Sequence, residues 1–354
     1  MNTNKNWKIN LLNFTNESFI NLTKIFKEKK FISKQLNTYI YKKDITNFEK
    51  IDNIKKKFIE NLKKISEIRK LKIIKEYIDL DNTIKLVIKT EKNIIETVAI
   101  PNSKNHFTIC ISSQNGCALN CAFCSTGKNG FYGNLKPYEM ISQIIMAKEK
   151  IKNIFEKKKI TNVVLMGMGE PLLNLDNVLA FISILSNENA LDINKKKITI
   201  STSGITNKIK KISENNIPLA LSLHSTDNTI RSKIMPINKK YPLKSILNEC
   251  KKYLSNSNTL TIEYILIKDL NDSDKDINNL IDLTKKLKCK ICLIPFNTIP
   301  NSPFKSPNLE KIIAFQNKLK NNKIIVNIRK RRGENINAAC GQLSGKINNK
   351  YDKN

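Results

Sequence analysis

Hydrophobic positions change their period along this chain, and the changes divide it. Near the N-terminus they recur at helical spacing. Asn16-Glu17-Ser18 opens an amphipathic run carrying Phe19, Ile20, Leu22 and Ile25. Phe58, Ile59, Leu62 and Ile65 share a later stripe, with Lys55 to Lys57, Lys63 and Lys64 filling the rest. At Lys72 the period drops to two. Ile73–Ile78, Thr83–Ile88 and Ile94–Ile100 predict a small antiparallel sheet, with Asp81-Asn82 as the first turn and Pro101-Asn102 ending the third strand.

Short apolar strands then alternate with helical, lysine-rich stretches. They are Phe107–Ser112, Asn162–Met168, Ile198–Ser203, Leu219–His224, Leu260–Ile267, Ile291–Phe296 and Ile324–Ile328. This alternation suits β-α units in a parallel sheet, and strands without clean polar alternation suit a sheet covered on both faces. Six or seven units predict an α/β fold built on a partial or full barrel, with catalytic groups just after the strands.

Composition adds a partner. Of the 354 residues 40% are hydrophobic, which excludes a wholly disordered chain. The balance of 62 basic against 31 acidic residues gives +31, which argues for a polyanion such as RNA. The argument is discounted because only five of the basic residues are arginines (Arg69, Arg231, Arg329, Arg331 and Arg332) and the chain is rich in Asn and Ile, a pattern that AT-biased codons produce. No run of about 18 apolar residues predicts a membrane span. The polar start Met1–Asn10 suggests no export, so a cytoplasmic, reduced chain is expected.

Three of the eight cysteines form Cys117-x3-Cys121-x2-Cys124, directly after the first strand of the parallel series. Three thiolates on one tight loop can grip three irons of a cubane cluster and leave the fourth iron open to chelate a small molecule. Phe123 would shield that cluster from water. Structural zinc is the competing reading, but zinc prefers paired C-x2-C motifs or histidines, and His106 and His224 lie in no such pair. Cys110 shares a strand face with Thr108 and Ser112. Cys340 follows the last strand in a glycine-bracketed stretch beside Arg329-Lys330-Arg331-Arg332, a setting that binds phosphate and activates a thiol. These two cysteines either meet over the cluster or are unrelated; Cys250, Cys289 and Cys292 read as structural.

C-x3-C-x2-C with an aromatic before the last cysteine resembles the radical S-adenosylmethionine (SAM) enzymes. Cys110–Cys117, Gly167–Asn174, Ile200–Gly204, Leu221–His224 and Ala338–Gln342 narrow the resemblance to the RlmN family of bacterial RNA adenine C2-methyltransferases. That resemblance runs from about Lys8 to about Gly345 and implies a partial (βα)6 radical SAM barrel with an N-terminal helical domain and a small antiparallel β extension. The division it implies is an RNA-binding helical domain at 1–70, the β extension at 71–103, the core barrel at 104–335, and the catalytic-cysteine loop and tail at 336–354, frayed from Ile347 onward.

By residue match, Cys117, Cys121 and Cys124 hold a [4Fe-4S] cluster. Gly169, Glu170, Ser201, Ser222, Leu223, His224 and Asn297 contact SAM, two molecules of which are used per turnover. Cys340 becomes methylated, and Cys110 resolves the intermediate through a transient disulfide with it. Glu96 matches the family's proposed proton acceptor. It shares a strand face with Ile94, Val98 and Ile100, and burial of that face would raise its pKa, although the residues alone favour a charge that discourages edge pairing. Carbon 2 of adenine is not nucleophilic, which is why the chemistry needs a radical. The implied partners are 23S rRNA, a tRNA adenosine 3′ of the anticodon, and an external reductant of flavodoxin or ferredoxin type, with the protein a monomer away from membranes. Two rivals stay open: the sister family that methylates carbon 8, and a non-enzymatic RNA-binding protein with structural zinc.

Overall fold

A computed structural model of the chain describes residues 8–102, 106–155, 158–256 and 258–345. The expected fraying of Ile347–Asn354 and the start of the chain before Lys8 lie outside those residues. Among the described residues the centre is a ten-stranded sheet. Three antiparallel strands come first: β1 (Lys72–Ile78), β2 (Ile84–Lys89) and β3 (Ile94–Pro101). Seven parallel strands follow, β4 (His106–Cys110), β5 (Lys159–Leu165), β6 (Ile198–Thr202), β7 (Leu219–Ser222), β8 (Leu260–Leu266), β9 (Lys290–Pro295) and β10 (Val326–Ile328). Each neighbours the next in sequence, so the sheet has six helix-bearing crossovers and ends on β10 at one edge. The sheet is open, in keeping with a partial barrel.

The antiparallel strands are not a separate sheet, as the change of period suggested. Val98 pairs with Cys110 and Ile100 with Thr108, so β3 adds directly to the edge of β4. Asn82, at φ 64°, makes the expected turn. The extension thereby protects what would be an exposed edge of the parallel series.

The N-terminal helices α1 (Asn16–Ile25), α2 (Phe31–Asn37) and α3 (Lys56–Ile65) share one continuous hydrophobic core with this sheet. Thr15 caps α1 by accepting from the Ser18 amide. Phe19 and Leu22 of α1, and Phe58, Ile59 and Leu62 of α3, are buried as their period required, whereas the terminal Ile25 and Ile65 stay exposed. Asn13 accepts from the Tyr138 amide at the start of helix Pro137–Ile154, which ties the helical region to the barrel.

Several parallel strands end earlier than their apolar runs. Met166–Met168, Leu223–His224 and Phe296 lie past the ends of β5, β7 and β9, in loops that turn toward the site. After β5 the Ser112 hydroxyl accepts from the Met168 amide, and the Ile111 carbonyl accepts from the Gly167 amide. Gly167 and Gly169 serve this packing, and both also line the cavity described below. A Cβ on Gly167 would sit 2.6 Å from the Ile111 carbonyl oxygen, and Gly169 adopts φ +102° against Gln114. Gly167→Ala is therefore expected to destabilise the fold by roughly 1–3 kcal/mol, the cost of overpacking. Denaturant unfolding of the variant checks this, and an unchanged midpoint would contradict it.

Candidate active site

The loop after β4 folds the three clustered cysteines around one another. Gln114–Gly116 pairs with Phe131–Asn134 in a short hairpin, and Gly130 accepts from the Cys117 amide. Asn120 takes a left-handed conformation, the Cys121 carbonyl accepts from the Cys124 amide, and the Ile234 carbonyl accepts from the Ala122 amide. Cys117, Cys121 and Cys124 all line a cavity of about 840 Å³, open to solvent, at the C-terminal ends of the strands.

Among the described residues, no three His, Cys, Asp or Glu side chains converge tightly enough to hold one metal ion. All three cysteines line the same cavity, and three thiolates on one loop can take three irons of a cluster. Burial pushes the Cys117 thiol up to about 12 and Cys121 well above its ordinary value. Thiols so desolvated ionise when a metal cation binds beside them. Phe123 stacks edge-on against His224, with ring centroids 4.8 Å apart, and closes one side of the cavity.

The remaining wall holds most of the positions expected to contact SAM. Gly169, Glu170, Ser201, Ser222 and His224 line the cavity. Glu170 is more constrained than a free acceptor for an ammonium group. Its carboxylate accepts from the Thr202 hydroxyl (2.8 Å), the Ser203 amide (2.8 Å) and the Leu172 amide (3.1 Å), so it ties the end of β6 to the loop after β5. Burial nonetheless raises its pKa. His224 sits at φ 58°, and its Nδ1 accepts from the Ile265 amide. Burial, with Arg231 and Arg329 nearby, lowers His224 to about 3, so the ring is neutral and Nε2 carries the proton. Leu223 is fully buried behind this wall, its carbonyl accepting from Arg231.

Asn297 lies elsewhere. It lines a second cavity, of about 860 Å³, together with Cys110, Cys340 and the Arg329–Arg332 run. Its Nδ2 donates to the Cys340 carbonyl at 3.0 Å, while its buried Oδ1 has no protein partner and offers an acceptor to a ligand. Cys340, Met166, Ile294 and Arg329 line both cavities. The cluster-type cavity and the two-cysteine cavity therefore adjoin, with Cys340 on the boundary.

The two lone thiols have opposite surroundings. Cys110 is buried, and desolvation, with Cys340 nearby, pushes it up to about 12. Cys340 is partly exposed, and Arg329 Nη1 donates to its sulfur at 3.1 Å. An electropositive, accessible setting marks the reactive thiol. Arg329 in turn donates to Glu263 Oε1 at 2.6 Å, and Glu263 Oε2 accepts from Ser201 at 2.8 Å. One chain of contacts thus runs from the SAM-contact wall to the Cys340 sulfur. Cys250 and Cys289 are buried thiols pushed up to about 12 by desolvation, which suits structural residues.

Glu96 departs from expectation. It is buried, as its strand face required, but it lines neither cavity. Lys85 compensates its charge, and it accepts from the amides of Ser344 and Gly345. The residues missed from the sequence are Glu263 and Lys85, charged positions on strands, and Arg231, in the short helix Asn228–Ile234. Arg231 is fully buried and donates to the carbonyls of Ser203, Ser222 and Leu223, which locks the ends of β6 and β7 together. A charged residue inside an apolar run was the available signal for Lys85 and Glu263.

Comparison with known proteins agrees with this geometry. The model of the radical SAM superfamily matches residues 111–281, and that of the ribosomal RNA large subunit methyltransferase N-terminal domain matches residues 9–68. The dual-specificity RNA methyltransferase RlmN of Wigglesworthia glossinidia brevipalpis is 45% identical over 358 residues, covering 99% of this chain and 93% of the relative. The protein of the same name from Pseudomonas putida strain F1 is 41% identical, covering 98% of this chain and 93% of its own length. The crystal structure of a radical SAM methyltransferase from Sphaerobacter thermophilus superposes with a TM-score of 0.88 at 31% identity, covering 96% of this chain and all of that one. With a cluster-type cysteine loop, a cavity for SAM beside it and two further cysteines on the adjoining cavity, this chain belongs to the RlmN family of radical SAM RNA methyltransferases.

Proposed function

We propose that the protein methylates carbon 2 of adenosine in 23S rRNA, at the peptidyl-transferase centre, and in tRNA, at the adenosine 3′ of the anticodon. The observation that carries this reading is the meeting of Cys110 and Cys340 on one cavity that adjoins the cavity of the three clustered cysteines. Cys117, Cys121 and Cys124 would hold the [4Fe-4S] cluster, and Gly169, Glu170, Ser201, Ser222, Leu223 and His224 would bound SAM, with Asn297 reaching it from the second cavity. When bound, the cluster and SAM supply the methyl group and the one-electron chemistry.

The chain's own residues do the rest. Arg329 holds the Cys340 sulfur at the boundary between the cavities, where it accepts a methyl group and presents that carbon to the base. Arg329, Arg331 and Arg332, with Lys330, line the cavity that admits the adenine, and their charge suits the phosphates beside a splayed nucleotide. The adduct gives up the ring proton to solvent and one electron, which the cluster would take back, and Cys110 acts once it has lost its own proton. Its thiolate then attacks the Cys340 sulfur; the S–S bond forms as the S–CH2 bond breaks, the freed carbon takes a proton to become the methyl group, and an external reductant of flavodoxin or ferredoxin type reopens the disulfide. The helical region at 1–70 adds a second RNA-facing surface, and the catalytic-cysteine segment begins near 336. The protein works as a cytoplasmic monomer in this reading. Among the described residues no helix is long and apolar enough to cross a membrane.

Cys340→Ala is expected to abolish RNA methylation while cluster assembly and cleavage of SAM to 5′-deoxyadenosine persist. Mass spectrometry of RNA digests reads this directly, and methylated adenosine from the variant would remove Cys340 from the reaction. The same digests are expected to contain 2-methyladenosine; 8-methyladenosine would move the protein to the sister activity. Alkylation of the cluster-free, reduced protein at pH 8 is expected to label Cys340 well before Cys110, whose pKa near 12 keeps it a neutral thiol until the pH rises toward that value. Faster labelling of Cys110 would reverse the assigned roles.

A further inference from the structure

The loop that carries Cys340 is held by the antiparallel extension at both ends. Lys85 on β2 and Glu96 on β3 form an ion pair, Nζ to Oε1, at 3.3 Å, with side chains 2% and 1% exposed. Lys85 Nζ also donates to the Asn337 carbonyl at 3.5 Å, three residues before Cys340. Glu96 Oε2 accepts from the amides of Ser344 at 2.6 Å and Gly345 at 2.9 Å, just beyond it. The β1–β2 turn reinforces the first attachment, where Asp79 accepts from the Asn335 side chain at 2.7 Å and Asp81 from the Gly333 amide at 3.3 Å.

We propose that the Lys85–Glu96 pair is a clamp that sets the position of Cys340, and that Glu96 is a positioning residue and not the proton acceptor. This rests on the reading in which Cys340 carries the methyl group. Both oxygens of Glu96 are already engaged, one by an ammonium and one by two amides. Neither Glu96 nor Lys85 lines the cavity in which the base would react. A proton delivered to Glu96 would cancel its charge, leave Lys85 buried without a counter-ion and free the far end of the loop. A group that must stay ionised to hold the reacting sulfur is unsuited to protonation in every turnover.

The test uses the full chain, reconstituted anoxically with its cluster, as Glu96→Ala, Glu96→Gln, Lys85→Met and the neutral double variant Lys85→Met/Glu96→Gln. Two quantities are read: amide hydrogen exchange in peptides covering residues 333–345, and 2-methyladenosine formed per 5′-deoxyadenosine released. Glu96→Ala and Lys85→Met are expected to speed exchange in that segment and to lower the product ratio, so that SAM is cleaved without methyl transfer. The double variant removes both charges, keeps an oxygen acceptor at position 96, and is expected to restore the ratio to within about tenfold of the unsubstituted protein, short of the roughly 100-fold or greater loss that removal of a general base causes.

If Glu96→Ala and Lys85→Met fail to fold, Glu96→Gln and the double variant still decide the matter, because loss that tracks loop exchange supports the clamp. A double variant with a protected loop and a loss of about 100-fold or more would make Glu96 the base and overturn the proposal. Unchanged exchange in every folded variant would overturn it as well. If the unsubstituted protein methylates no RNA, the underlying functional reading fails, and the exchange arm still decides whether the clamp exists.

Discussion

The structure depends on holding one sulfur at the boundary between two cavities. Cys340 belongs to a segment with little regular structure, after the last strand, and such segments wander unless their backbone groups find partners. Here they find many. Ser125 donates to the Gly341 carbonyl, Asn297 to that of Cys340, Thr126 to that of Leu343 and Asn129 to that of Ser344. The Asp79, Asp81, Lys85 and Glu96 side chains of the antiparallel extension hold its flanks. The loop's position is set by its neighbours, in particular by the cysteine-bearing loop, so the two cavities are placed relative to each other by direct bonds.

This arrangement gives the extension a purpose that its sequence pattern did not suggest. Period-two alternation identified three strands and a turn, and their registry onto β4 followed from nothing local. A strand edge next to a parallel series is a surface that any neighbour can pair with, and β3 occupies it. In doing so it brings Glu96 and Lys85 beneath the C-terminal segment, almost 250 residues away in the chain. Sequence spacing carries no information about such a contact.

What was legible follows the same division. The Cys117–Cys124 spacing, the apolar strands and the alternating helices are local patterns with local causes, and the structure contains them close to where they were read. Strand ends were read too far for β5, β7 and β9, because residues such as His224 keep an apolar neighbourhood while leaving the ladder to line a cavity. The glycines of the Gly167–Glu170 turn were visible as a special backbone, but their partner is the Ile111–Gln114 segment of the chain itself. Glu263, a charge in an apolar strand, and Arg231, in the helix Asn228–Ile234, were missed because a charge has no readable partner until the fold supplies one. Arg329 was read as part of a phosphate-binding cluster, and its contact with the Cys340 sulfur emerged only in three dimensions.

In the proposed reaction Cys110 and Cys340 act on one another at that boundary. Peptide mapping of reconstituted protein, quenched under anoxic conditions during a single turnover with RNA and without excess reductant, tests it most directly. A disulfide between the peptides holding residues 110 and 340 is expected, accumulating one-for-one with methylated adenosine. Methylated RNA formed while both cysteines stay unpaired, or while either pairs with Cys292, would contradict it.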